Sequence, residues 1–240
     1  MLNAEDATCV ALATRTRAQV RWFSLRRPVE PGGFVRDGNI IWHDRGGEQL
    51  IMPVSELQLK GAHNVENVLA AVAVGRITGC EPARIRRAVS GFKAVEHRLE
   101  YVATIDGVQY YNDSKATNVD ATLKALESFP ANLHLILGGK DKGSDYRVLR
   151  PLLRKRVKRI YTIGAAAEKI EDHIGDAVPL VRAGTLEAAV RRAAEAALPG
   201  DIVLLAPACA SFDQFQSYEQ RGQAFKELVR TLAARRQKVG

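Results

Sequence analysis

The chain has 240 residues, of which 46% are hydrophobic and 26% charged, and its 35 Lys+Arg against 27 Asp+Glu give a net charge of +8. That length suits one large or two small globular domains with their own cores. No apolar stretch approaches the ~20 residues of a membrane span, and no N-terminal signal pattern is present.

The positive excess raises the question of an anionic partner. Much of it sits in two runs, Arg154 to Arg159 and Arg235 to Lys238. Both read as solvated helix ends or tails, without the aromatic interleaving of a single-strand binder. Phosphorylated small molecules are therefore favoured over nucleic acid. Cys9, Cys80 and Cys209 are widely separated, with no metal-ligand or disulfide spacing, and imply a reduced, cytoplasmic setting.

Taken in order, the elements fall into two halves. Up to about Val95, the short strand-like runs Val20 to Leu25, Asn39 to Trp42 and Gln49 to Pro53 are separated by Pro-Gly-Gly and Arg-Gly-Gly turns. A helix after His63 places Val65, Val68, Leu69 and Val72 on one face and ends near Gly79. A second starts at Pro82, a favoured first helical residue, and buries Ile85 and Val89. A short linker holds His97-Arg98-Leu99-Glu100. Beyond it, strand-like runs Val108–Tyr111, Leu133–Leu137, Arg159–Ile163, Pro179–Val181 and Ile202–Ala206 alternate with helical patterns. The last helix carries Tyr218, Phe225, Leu228 and Leu232. Strand and helix in regular alternation mean a mostly parallel sheet with helices on both faces.

Four polar clusters carry the candidate chemistry. The first is Asn112-Asp113-Ser114-Lys115-Ala116-Thr117-Asn118, between a strand and the helix that begins at Val119. In an open α/β sheet such a turn lies at the carboxyl end of the strand, where ligands bind. Asn118 serves as a helix cap, which leaves Asp113 and Lys115 unexplained by structure alone. Second, Asn64 and Asn67 are three apart on one helical face, and their amides suit a purine edge; for Asn64, a plain N-cap is the simpler reading. Third, Gly138-Gly139-Lys140-Asp141-Lys142-Gly143 lets backbone approach a ligand beside two lysines, or is simply a solvated turn. Fourth, Pro207 to Phe215 forms a plausible pocket floor. Ser211 lacks the G-x-S-x-G surroundings of a nucleophile, and Cys209 reads as a small buried residue. Asp113, Lys142 and Ser211 are expected together at the carboxyl edge of one sheet.

These clusters, in this order, resemble the Mur ligase family, and its D-glutamate-adding branch most closely. The pieces that carry the likeness are Gly61-Ala62-His63-Asn64 with Asn67, His97-Arg98-Leu99-Glu100, Asn112 to Asn118, and Pro207 to Phe215 with Glu219-Gln220-Arg221-Gly222. They run in register from Leu2-Asn3-Ala4-Glu5-Asp6 to the final helix. The likeness implies an α/β protein: a Rossmann-like, mostly parallel C-terminal domain over residues 97–240, preceded by the truncated end of an α/β ATPase domain over residues 1–96. It further implies ATP and Mg²⁺ as cofactors, with D-glutamate and UDP-N-acetylmuramoyl-L-alanine joined through an acyl phosphate. By that likeness Asn64, Asn67, Arg98 and Asp113 would hold ATP, and Lys115 and Arg98 would serve catalysis. Lys115, Thr117, Lys142, Ser211, Phe212 and Tyr218 would line the D-glutamate pocket, Tyr218 standing where the family usually has Phe.

Two departures shape the functional expectation. A P-loop needs G-x-x-x-x-G-K-[ST], and Gly139-Lys140 fails it, because position 134 is His134 and Asp141 follows the lysine. The nucleotide-sugar domain, magnesium ligands and modified lysine of the family would precede Leu2, so no metal ligands are assigned. The chain is thus expected to be the C-terminal portion of a monomeric ligase, inactive alone. The alternative is a non-catalytic amino-acid or nucleotide-binding module. A Rossmann oxidoreductase is a distant third, since no strand is followed by G-x-G-x-x-G.

Overall fold

The first five strands, Leu2–Asn3 (β1), Trp22–Ser24 (β2), Gly32–Arg36 (β3), Asn39–Asp44 (β4) and Gly47–Pro53 (β5), form one sheet in sequence order. This is a computed structural model, and it describes residues 1–58, 61–92 and 95–237. Gly32 and Gly33, expected in a turn, instead open β3. A β-carbon on Gly32 would collide with the Trp22 carbonyl, so glycine is what lets β2 and β3 lie backbone to backbone. The expected turn at Arg45-Gly46 does join β4 to β5.

Ala7–Ala13 (α1), Ala62–Ile77 (α2) and Pro82–Ser90 (α3) complete this unit, which spans Met1–Lys93. Val68, Leu69 and Val72 of α2 and Ile85 of α3 pack with Ile40, Trp42, Ile51 and Met52 in its core. The cap of α2 is Gly61, not Asn64: the helix starts two residues before Asn64, which becomes a buried member of its first turn.

The second unit, Ala94–Gly240, is a six-stranded sheet with helices on both faces. Its elements are Glu100–Ile105 (β6), Val108–Asn112 (β7), Val119–Glu127 (α4), Leu133–Gly138 (β8), Arg150–Arg156 (α5), Val157–Ile163 (β9), Ala167–Ile174 (α6), Leu180–Gly184 (β10), Leu186–Ala196 (α7), Ile202–Leu205 (β11) and Tyr218–Gln237 (α8). The strand order is β10-β9-β8-β11-β7-β6. All pairs are parallel except β6 with β7, so the mostly parallel α/β expectation holds.

Alternation along the strands sends side chains to two separate cores. Leu133, Leu135, Leu137 and Leu204 meet Leu126, Leu149, Leu153, Ile170 and Ile174 on one face. Tyr110, Ile136, Val203 and Leu205 meet Leu186, Val190, Phe225 and Val229 on the other. The edge strand β6 was not anticipated: its half-exposed residues give no clear apolar alternation.

The basic run from Arg154 is also more structured than a solvated helix end. Arg154 and Lys155 are exposed at the end of α5, but Val157 to Arg159 already belong to β9. Arg156 donates to the Leu126 and Phe129 carbonyls at 2.8 and 2.6 Å, closing the end of α4. Lys238, the last residue of the second basic run, lies outside the described residues. Among the described residues, no helix is long and apolar enough to cross a membrane.

Candidate active site

Three neighbouring parallel strands, β7, β11 and β8, end side by side, and their exits are stitched together by backbone. Asp113 N donates to Leu205 O at 2.8 Å, Gly138 N to Pro207 O at 2.9 Å, and Lys140 and Ala210 exchange two bonds at 2.8 and 3.1 Å. The first, third and fourth polar clusters therefore form one rim at the carboxyl edge of the sheet. Backbone strain concentrates here. His97, Leu99 and Ala208 have positive φ values of 64, 44 and 56°, which L-residues adopt only when held there by their surroundings. Gly138 and Gly139, at φ 129 and 137°, would collide with the Ile163 and Ala210 carbonyls if they carried a β-carbon.

Arg221, near the start of α8, joins the loops at their centre. It is only 1% exposed. Its Nε donates to Ser114 Oγ at 3.0 Å, Nη2 to Ser114 O and Cys209 O at 2.9 and 3.1 Å, and Nη1 to Ala210 O at 3.3 Å. A β-carbon on Gly139 would stand 3.1 Å from Nη1, so the guanidinium touches the third loop as well. No carboxylate pairs with it among the described residues, and burial pulls it down to about 10. The site thus contains a buried, uncompensated positive charge. The sequence contained this residue in Gln220-Arg221-Gly222, yet gave it no role, because an arginine in an amphipathic helix usually faces water.

Around Arg221 the first cluster is ordered residue by residue. Ser114 Oγ donates to Tyr218 O at 2.8 Å, and Ser114 N to Asn112 Oδ1 at 3.1 Å. Asn112 Nδ2 donates to Glu100 Oε2 at 3.0 Å and lies 2.9 Å from His97 Nδ1. Lys115 is half-buried; its Nζ donates to the Tyr218 hydroxyl at 2.7 Å and lies 4.1 Å from the ring centroid. The extra hydroxyl of Tyr218 thus has its partner in Lys115. Thr117 is half-buried, and its hydroxyl makes no bond to a described residue. Asn118 accepts from Ala121 N at 2.8 Å and caps α4.

The other two rims supply cations, a hydroxyl and an apolar ring. Lys140 and Lys142 are exposed and form no ion pair with a described residue. Between them Asp141 is held firmly: it accepts from Lys169 Nζ and the Tyr146 hydroxyl, both at 2.7 Å. Burial pushes this carboxyl up, but those bonds and the Ser144 and Gly143 N–H groups outweigh burial and hold it well below the usual range. Ser211 is 2% exposed, and its hydroxyl has no described partner, an arrangement that costs free energy unless a ligand or water completes it. Phe212 beside it is 67% exposed. Cys209 is buried, its Sγ 3.0 Å from the Tyr146 hydroxyl, and burial pushes the thiol up to about 11, which makes it unreactive.

The fit of this site to a nucleotide can be tested within the second unit. Asp113 is 5% exposed, and burial raises its carboxyl to about 6, opposed by the Leu99 N–H and the Arg98 charge. One oxygen accepts from Leu99 N at 3.1 Å; the other has no donor among the described residues. A free buried carboxylate oxygen suits ribose hydroxyls, and the exposed guanidinium of Arg98, which forms no ion pair with a described residue, suits phosphate. These residues fit the sugar and phosphate of ATP. Asn64 and Asn67 belong to the other unit, where Asn67 Nδ2 lies 3.4 Å from Asn64 Oδ1. Magnesium is not fitted. Among the described residues, the group close enough to share an ion is Glu96, His97 and Glu100, and there the Lys226 ammonium already bonds both glutamates.

The profile of the "Mur ligase, glutamate ligase domain" family matches residues 97–209. Residues 97–209 thus carry the glutamate ligase domain of the Mur ligase family. It is 62% identical to the UDP-N-acetylmuramoylalanine–D-glutamate ligase of Koribacter versatilis, over 99% of this chain and 52% of that protein. Against the ligase of the same name from Acidobacterium capsulatum it is 59% identical, over 95% of this chain and 50% of that one. The chain thus spans about half the length of the curated relatives it matches. A pseudomurein peptide ligase type C from Methanothermus fervidus shares the fold with a TM-score of 0.71 at 16% identity, covering 96% of this chain and 56% of that one. The UDP-N-acetylmuramate-alanine ligase of Thermotoga maritima has a TM-score of 0.61 at 14% identity, covering 88% and 48%.

Proposed function

We propose that this chain is the amino-acid-receiving part of an ATP-dependent ligase that joins D-glutamate to UDP-N-acetylmuramoyl-L-alanine in peptidoglycan synthesis. Residues 97–240 are its D-glutamate-binding domain, and residues 1–96 the closing part of its ATPase domain. The observation that carries this reading is the rim itself: Lys115, Lys142 and Ser211 on three strand exits joined by Arg221 and by the Lys140–Ala210 backbone pair. The identity to relatives named for this reaction supports it.

The chemistry follows from the residue types. D-Glutamate brings two carboxylates and an amine. Lys142 and Lys115 balance the carboxylate charge, the Ser211 and Thr117 hydroxyls donate to carboxylate oxygens, and the Phe212 and Tyr218 rings cover the aliphatic stem. ATP, when bound, supplies the phosphoryl group that activates the partner carboxylate. Arg98 and Asp113 hold its phosphate and ribose. Lys115 then has a second role, opposing the negative charge that develops as the amine attacks. The 240 residues include no P-loop motif to cradle the β-phosphate. Amide formation therefore needs such a motif supplied to this chain, and enzyme-like turnover by the purified chain alone would contradict the reading. The setting is cytoplasmic and the working form a monomer.

A second reading is a binding module that keeps the amino-acid pocket without catalysis. Calorimetric titration with D-glutamate, with L-glutamate as control, tests what both readings share. Millimolar or tighter binding that prefers the D-enantiomer and is lost in Lys115→Ala supports a D-glutamate pocket; equal affinity for the enantiomers contradicts it.

A further inference from the structure

At the amino end of β7, away from the rim just described, the second unit encloses another cavity of about 180 Å³. Its walls are Ile105 and Val108 beside the β6–β7 turn, Ala194 and Ala197 at the end of α7, and Leu232 on α8. The turn is fixed in place, since Gly200 N donates to Gly107 O at 2.9 Å.

Tyr110 distinguishes this cavity from a packing fault. Its side chain lines the cavity and is 2% exposed, yet its hydroxyl makes no hydrogen bond to any described residue. Buried tyrosine hydroxyls nearly always find a partner. The other three of this kind do: Tyr111 donates to Gln109 Oε1 at 3.4 Å, Tyr146 bonds Asp141 at 2.7 Å, and Tyr161 lies 3.0 Å from His134 Nδ1. At its mouth, Asp106 and Arg236 form an exposed ion pair at 3.3 Å. That pair and the neighbouring Glu195 make the mouth polar, while Ile105, Val108, Ala194, Ala197 and Leu232 supply apolar walls.

A small chamber that combines apolar walls, a polar mouth and one hydroxyl bonded by no described residue has the ordinary form of a small-molecule site. The volume is close to the ~150 Å³ of an apolar cavity that takes up benzene. We propose that the chamber is a second ligand site, for a compact uncharged ring with one hydrogen-bonding group that meets the Tyr110 hydroxyl. None of the rim residues contributes to it, so it is independent of the glutamate reading.

The test uses the full chain, with p-cresol and toluene as probes, followed by amide chemical shifts. p-Cresol should give saturable shifts confined to residues near Tyr110, Ala194, Ala197 and Leu232, with none at Lys115 or Ser211. Tyr110→Phe should weaken p-cresol about tenfold, the value of one hydrogen bond, and leave toluene unchanged. Ala194→Leu, which fills the chamber from a half-exposed helical position, should abolish both. Dispersed amide spectra report that each variant is folded. Absence of saturable shifts, p-cresol affinity indifferent to Tyr110→Phe, or binding that survives Ala194→Leu would each overturn the proposal.

Discussion

Replacing Arg221 with methionine tests whether one buried cation holds the three strand exits together. Methionine keeps much of the stem and removes every donor. Two acceptors lose their only described partner, Ser114 O and Cys209 O. Ala210 O retains Lys140 N at 2.8 Å, and Ser114 Oγ retains Tyr218 O at 2.8 Å. Each orphaned carbonyl costs about 1–3 kcal/mol. Part of that is offset because an ion buried without a counter-charge no longer has to be kept out of water. The expected net loss is about 2–4 kcal/mol. Hydrogen exchange is the suitable assay, because a chain of two units need not unfold in one step. Protection of core amides in β7, β8 and β11 should fall by roughly 30- to 900-fold, at 1.36 kcal/mol per tenfold. Arg221→Lys, which keeps the charge but not the planar fork, should recover about half of the loss. A fall of less than tenfold, or an equal fall in β4 of the first unit, would refute the reasoning.

Asp113 should make the second unit more stable as pH drops. Its carboxyl is raised in the folded state from 3.8 to about 6, so the native state binds the proton more tightly than the unfolded chain does. Stability on this account rises as pH falls from about 7 to 4, by up to about 3 kcal/mol, and urea midpoints of Asp113→Asn should lack that rise. Gly32→Ala should unfold the first unit, a loss above about 3 kcal/mol from a backbone collision. Both tryptophans, Trp22 and Trp42, lie in that unit, so fluorescence reads it directly; an unchanged midpoint contradicts the collision. With a thiol reagent at neutral pH, the exposed Cys80 should react promptly and Cys209 only after unfolding. Fast labelling of Cys209 in the native protein would show that its pocket opens.

What could be read in the sequence was local. Asn112 to Asn118 and Pro207 to Phe215 stood out because charged and small polar residues follow apolar runs directly, and regular strand-helix alternation places such turns on one edge. What could not be read depends on distant pairing. Arg221 acquires its role from Ser114, 107 positions earlier, and the Tyr218 hydroxyl from Lys115, 103 positions earlier. Gly32-Gly33 carries the composition of a turn, and only the approach of β2 reveals why glycine is needed within a strand. Asn64 has the residue type of a cap, but its helix begins earlier, at a Gly61 with φ of 95°.

The central claim is that the joined exits of β7, β8 and β11 receive D-glutamate. Hydrogen exchange of the full chain with and without millimolar D-glutamate tests it most directly. Protection should rise in residues 112–118, 138–143 and 207–218 together, remain unchanged in the first unit, and be weaker with L-glutamate. Protection at one of these segments alone, at none, or equally with both enantiomers would contradict the account.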